Sequence, residues 1–540
     1  MTRTTSTSRT SPWEEIVTSA LLGTDRRTPQ AGLTPVGKDA PVALLDAAAL
    51  YTVRRRAGLR PAAPAGRAPE PAPHDARRAL PEPARRRLVQ LLADRAGPAA
   101  SGGRRGTAPD LTELLPQWLA AANEHGDRAP ASVLPALLDA ARARTDLRPQ
   151  ALEFAGPRGL WLARLNPEWK YALRGGSAGS VLPAVDDTEA VRTLWEEGLF
   201  AERVALLATV RAHDSGAART LLGSTWSTER AEDRLMFLDS LRAGLSDADE
   251  PFLEQALSDR SRNVRSTAAE LLSALPRSAL AGRMAARAAS CVAIDRSGDT
   301  TAAITVEAPH ECDADMQRDG IVPTPPSGRG ERSWWLGQLV EAAPLSVWPG
   351  RLGGRTADEI VALPVSDDWA DELHAAWCRA AARQRDADWS RALLGSPATP
   401  PSTGPGTTSP AERSKLLAAL PDDDRASWVA EFIAAHGLSE AFQLLGVCAV
   451  PWAEPLGRAV VDALEIARDA GSYPWSFSGV MGLAERCLSP DEAGRLEILT
   501  ATPDDQEDAS PRAGSYWSEA FQRLVSTLRL RATMSEELTR

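Results

Sequence analysis

Between residues 259 and 275 the sequence carries one apolar stripe: Val264, Ala268, Leu271, Leu272 and Leu275 stand at i, i+4, i+7, i+8 and i+11. That spacing places all five on one side of an α-helix, with Arg262 and Arg265 pointing elsewhere. A helix cannot hide such a stripe by itself and needs a similar neighbour. Upstream, Leu207-x-x-Val210-Arg211-Ala212 recurs as Leu238-x-x-Leu241-Arg242-Ala243, an offset of 31 residues, and Leu272-x-x-Leu275 follows another 34 on. Helix pairs repeating at roughly 20–45 residues bury their faces by stacking into α-solenoids. The chain is therefore expected to be mainly α, with a solenoid over residues 188–290.

Local signals divide the rest. Ser11-Pro12-Trp13-Glu14 is a capping box with proline at the first helical position, and Gly23 stops that helix. A second helix is expected over 41–55, which completes an N-terminal segment, 1–59. Residues 60–109 read as a linker: seven prolines lie between 61 and 83, and a glycine-rich run follows at 102–106. Helices at 111–122 and 133–143 belong to a segment, 110–187, that also holds a tryptophan motif. In the central array, Asp214, Thr228, and Ser246 or Asp247 are the expected caps. Two short β-branched stretches around Arg296-Ser297-Gly298-Asp299 read as a β-hairpin, part of an insertion at 291–333. Helices resume over 334–395 and, after a linker at 396–410, over a helical C-terminal region, 411–540.

The 540 residues carry a net charge of -11, which gives no global pull toward nucleic acid or anionic lipid. Only Lys38, Lys170 and Lys415 are lysines, so the arginine load reflects coding bias and is not evidence for phosphate recognition. Five scattered cysteines without a C-x-x-C argue for a reducing compartment. With no apolar h-region at the N-terminus and no run near the ~18 apolar residues of a membrane span, a cytoplasmic location is expected.

Several segments together resemble a bacterial family of unknown function: Trp13-Glu14 with Ala20-Leu21-Leu22-Gly23-Thr24; Gly159-Leu160-Trp161-Leu162-Ala163 with Asn166-Pro167-Glu168-Trp169; Asp259 with Val264-Arg265; and Arg318-Asp319-Gly320 ahead of Trp334-Trp335-Leu336. The resemblance spans nearly the whole chain. It implies HEAT-like repeats and an association with a SWIM-type zinc-finger protein and a MoxR-type AAA+ ATPase, and it implies no catalytic residues. The element from Asp259 to Arg265 is similar to the HEAT signature, in which such residues cap helices and pair between repeats.

No spacing nominates a nucleophile with its base. His310, Cys312, Asp313 and Asp315 lack the second ligand pair of a closed zinc site. The stretch Arg174-Gly175-Gly176-Ser177-Ala178-Gly179-Ser180 lacks the Gly-Lys-Ser/Thr ending of a P-loop. No metal or cofactor is expected. The 16 tryptophans are mostly inter-helix core material. Adjacent Trp334 and Trp335 cannot both face one core line, so they, with Arg262 and Arg265, are the candidate partner-binding residues. The expected function is a non-catalytic protein-interaction scaffold working with the MoxR-type ATPase system. The alternative is a nucleic-acid-binding protein with Arg262, Arg265, Arg283 and Arg287 on a concave face. An enzyme is a third and weaker reading.

Overall fold

Proline-bounded starts and glycine or asparagine stops recur along the sequence, and the elements between them are almost all helices. The structure is a computed structural model, and it describes residues 12–26, 39–57, 70–72, 74–93, 108–174, 182–183, 185–295, 302–400, 409–501 and 511–539. The glycine run at 175–180 and the hairpin turn at 296–299 fall outside the described residues, as do 94–107 and 401–408 of the two expected linkers. Among the described residues no helix is long and apolar enough to cross a membrane.

Two units are distinct, residues 1–72 and 73–540. The first is a hairpin of helices Pro12–Leu22 and Ala40–Arg56, close to the expected bounds. Ile16, Leu44 and Ala47 form its small core, with Tyr51 against Trp13.

The second unit is mainly helical. From Thr188–Glu197 and Phe200–His213 through Ser215–Thr225, Ala231–Ser240, Glu250–Ala256, Arg262–Ser273 and Ala279–Cys291, each helix packs on its near neighbours in sequence. Leu238, Leu257 and Leu271, on or at the ends of these helices, are buried. One core runs from Val191 in this array to Leu528 in the last helix. Within it, Val292–Asp295 and Ala303–Val306 form the expected antiparallel pair. Asp214 caps as expected, accepting from the N–H groups of Gly216 and Ala217. Thr228 does not cap: its hydroxyl turns back to the Thr225 carbonyl, and Arg230 occupies the cap position of Ala231–Ser240.

The expected linker at 60–109 contains more structure than its prolines suggested. Arg78–Ala79 pairs in parallel with Asp127–Arg128, and Glu82–Ala93 is a helix. Pro81 and Pro83 flank its first residue, where the backbone N–H groups have no helical partner to lose, so they start the helix instead of breaking it.

A second core gathers Leu88, Leu91, Leu115, Trp118, Leu137 and Phe154, and it also takes in Met534 and Leu538. Those two lie on Pro511–Thr539, whose earlier residues Trp517, Phe521, Leu524 and Leu528 belong to the large core. At about 1.5 Å per residue this 29-residue helix is roughly 43 Å long and joins both cores. Arg87 on Glu537 and Arg78 on the Leu538 carbonyl fasten its end.

Candidate functional site

The motifs that carry the resemblance resolve into joints of the fold. Asp259 Oδ1 accepts from the Ser261 N–H at 2.8 Å, at the start of Arg262–Ser273, and from Arg234 of an earlier helix at 2.9 Å. Arg265 donates to the Asp259 and Arg260 carbonyls. In Arg318-Asp319-Gly320, the fully buried Asp319 receives Arg283 and Arg287 from the preceding long helix, at 3.0 and 2.7 Å. Burial pushes its carboxyl up, but those hydrogen bonds outweigh burial and hold it below the usual carboxylate range. Gly320 has φ +100°, and an added Cβ would sit 2.4 Å from the Ala269 Cβ, so only glycine fits there.

The tryptophan motif is likewise structural. Asn166 caps Pro167–Trp169 through the Glu168 N–H, and Trp169 Nε1 donates to Asp139 at 2.9 Å. Trp335 is buried and Trp334 half-buried, and their indole N–H groups donate to the Pro323 and Val322 carbonyls, both at 2.8 Å. The pair pins the loop that follows Gly320. Of the four candidate residues only Arg262 is exposed.

The central arginines are engaged one by one. Arg211 and Asp249 are 2% and 0% exposed, and Arg219 reaches the same carboxylate. Arg203 pairs with Glu229, Arg234 with Asp259 and Arg242 with Glu270. These partners lie 25 to 38 residues apart in sequence. For Asp249 and Glu229, as for Asp319, burial raises the carboxyl but the arginine hydrogen bonds win and lower it.

Burial also pushes all five thiols above the ordinary cysteine value, Cys378 to about 12 and Cys448 to about 11. They are therefore not thiolate nucleophiles at neutral pH. Asp313 is spent as a cap on Met316, and among the described residues no three His, Cys, Asp or Glu side chains are grouped to hold a metal.

One tryptophan stands apart. All 16 fall within the described residues, and only Trp475 is exposed, at 58%. Its position follows from the turn that carries it. Helix Glu454–Asp469 ends at Gly471, φ +74°, whose left-handed geometry lets the Ser472 N–H return to the Ala467 carbonyl. Trp517 Nε1 donates to the Ser472 carbonyl at 2.7 Å, tying the turn to the last helix. Pro474 is buried and Phe477 packs on the core, which leaves Trp475 and Ser476 between them facing out.

Tyr473 stacks on Trp475 at 4.3 Å and 13°, and Tyr516 meets it nearly edge-on at 5.3 Å. A cavity of about 720 Å³ opens beside Trp475 against the last helix. A second groove of about 820 Å³, lined by His436, Leu438, Ala459, Ile466 and Phe477, also borders the turn, at Ser472 and Phe477. Ile466 and Phe442 add exposed apolar surface, and Gly479 leaves the space that the Phe442 ring fills. An exposed aromatic lining a cavity, with more apolar surface and a second groove on the same turn, is the form of a docking site.

Sequence reasoning missed this site. The cue present was Gly471-Ser472-Tyr473-Pro474-Trp475, two aromatics in a short Gly/Pro-bounded turn where no helical stripe needs them. No curated protein matches the chain. A family described as being of unknown function, DUF5691, matches residues 15–538, and the chain belongs to that family.

Proposed function

We propose that the chain is a non-catalytic scaffold of HEAT-like repeats, an α-solenoid, that docks a protein partner on the turn at 473–477. The observation that carries this is the single exposed tryptophan, which lines one cavity on a turn that also borders a second. Buried tryptophans here have structural partners; this one has apolar area to lose on binding, and tryptophan is enriched among the residues that dominate interfaces. The repeat reading draws support from ion pairs at separations of 25 to 38 residues, each tying a helix or turn to a later helix or turn. The family resemblance makes a MoxR-type AAA+ ATPase the first partner to look for.

The nucleic-acid alternative has less support, because Arg283 and Arg287 are taken by Asp319 and Arg265 by backbone carbonyls. Affinity capture from native cells with the full chain and with Trp475→Ala tests the docking reading. A protein recovered by the first and lost with the second is expected, and an identical set of captured proteins overturns the proposal. Binding to a labelled oligonucleotide that falls with salt at a slope near -0.9 per phosphate contact would reinstate the alternative.

A further inference from the structure

Three tryptophans in this molecule carry an arginine that is held in turn by a carboxylate. Arg203 lies 4.6 Å from the Trp195 ring and pairs with Glu229. Arg234 lies 5.7 Å from Trp226 and pairs with Asp259. Arg329 lies 5.4 Å from Trp334 and pairs with Glu372 at 2.6 Å. In each, the guanidinium is shared between the negative face of the ring and a carboxylate, which both attract a cation.

The cavity beside Trp475 has two of these three parts. Trp475 and Tyr516 supply aromatic wall, and Glu519 supplies a carboxylate. Glu519 is half-buried and has no hydrogen-bond or ion-pair partner among the described residues. The arginine that also lines the cavity, Arg523, is committed elsewhere: its Nε donates to the buried Glu485 at 2.7 Å. Because Arg523 is drawn to Glu485, the cavity's other charged lining residue, Glu519, is left without a paired cation among the described residues. Half-burial makes that charge costly to leave unpaired, and about 720 Å³ is ample room for a long side chain.

We propose that this cavity receives an arginine side chain of the docking polypeptide, which completes at Trp475 and Glu519 the arrangement that Trp195, Arg203 and Glu229 already form within the chain. The inference rests on the docking reading above and names the chemistry that reading requires of its partner. Arginine is favoured over lysine because its planar, weakly hydrated guanidinium both stacks on a ring and forks onto a carboxylate.

The test uses the full chain labelled with 5-fluorotryptophan and read by fluorine NMR, with the Trp475 signal assigned from its absence in Trp475→Phe. The probes are Nα-acetyl-arginine amide and its neutral isostere, Nα-acetyl-citrulline amide. The arginine amide is expected to move the Trp475 signal saturably, with the citrulline amide about tenfold weaker or worse. Glu519→Gln should bring arginine down to the citrulline level while the other tryptophan signals stay in place. Equal responses to the two amides, or a still Trp475 signal with both, overturn the inference. The wild-type comparison needs no variant to fold. If the cation preference is absent yet Trp475→Ala still abolishes partner capture, this inference falls and the docking site stands. If Trp475→Ala leaves capture unchanged, the docking reading itself is lost.

Discussion

Trp195 and Trp475 make an instructive pair. Trp195 is fully buried, with Phe237 at 5.1 Å and Arg203 across its ring, and Glu229 closes the arrangement from the turn before helix Ala231–Ser240. Trp475 has aromatic neighbours and an acid at hand, but among the described residues the arginine of its cavity is drawn to Glu485, and the ring is exposed. The contents are alike and the completion is not. In an arginine-rich chain, the count of arginines marks nothing; what marks a site is a tryptophan and an acid whose arginine the chain does not supply.

The comparison breaks most readily on the closed side. Trp195→Ala should destabilise the protein by about 3–5 kcal/mol through the cavity it leaves, read as a lower urea midpoint. Asp249→Ala should cost a similar amount, about 3–5 kcal/mol, because it leaves the buried Arg211 with backbone carbonyls but no carboxylate to balance its charge. A loss below about 1 kcal/mol for either would mean that the closed sites are not structural.

Acidification acts on the same groups together. Asp249, Asp319 and Glu229 have folded-state pKa values below their unfolded ones. Their contribution is therefore present above about pH 4 and lost as pH falls through the lowered values. Urea midpoints should change little on their account between pH 7 and 5 and fall steeply below 4. A steep fall already between 7 and 5 would point to other groups. Gly320→Ala, with its strained φ and its collision with Ala269, should cost about 1–3 kcal/mol.

The smallest effect sharpens the contrast. Trp475→Ala should leave stability within about 0.5 kcal/mol of the parent, against the several lost at Trp195, while partner capture fails. A Trp475→Ala protein as unstable as Trp195→Ala would make the exposed ring part of the architecture after all.

Much of the fold was legible. Helix Pro12–Leu22 starts at the expected proline and ends before Gly23, the β-pair lies where β-branched residues flank a turn, and Asp259 accepts from the helix start as its likeness to the HEAT signature implied. These follow from neighbours in sequence. What escaped depends on distant residues. Arg211 reads as one more surface cation until Asp249, 38 residues on, is folded against it. Arg283 and Arg287 looked free for phosphate for the same reason. Trp334 and Trp335 were expected to be the exposed pair, but the loop at 322–323 covers and binds them. Trp475 gave no periodic signal, since its exposure is decided by Pro474 and Phe477 turning inward on either side of it.

The last helix carries a consequence for how the chain reaches this state in a cell. Arg78 and Leu538 meet across 460 residues, and the core around Leu88, Trp118 and Phe154 is finished only by Met534 and Leu538. At roughly 5–20 residues per second, a ribosome needs on the order of 20–90 s to deliver those side chains after Arg78 has appeared. Until then the early helices present an unfilled apolar seam, which makes the nascent chain a natural client for chaperones throughout its own translation.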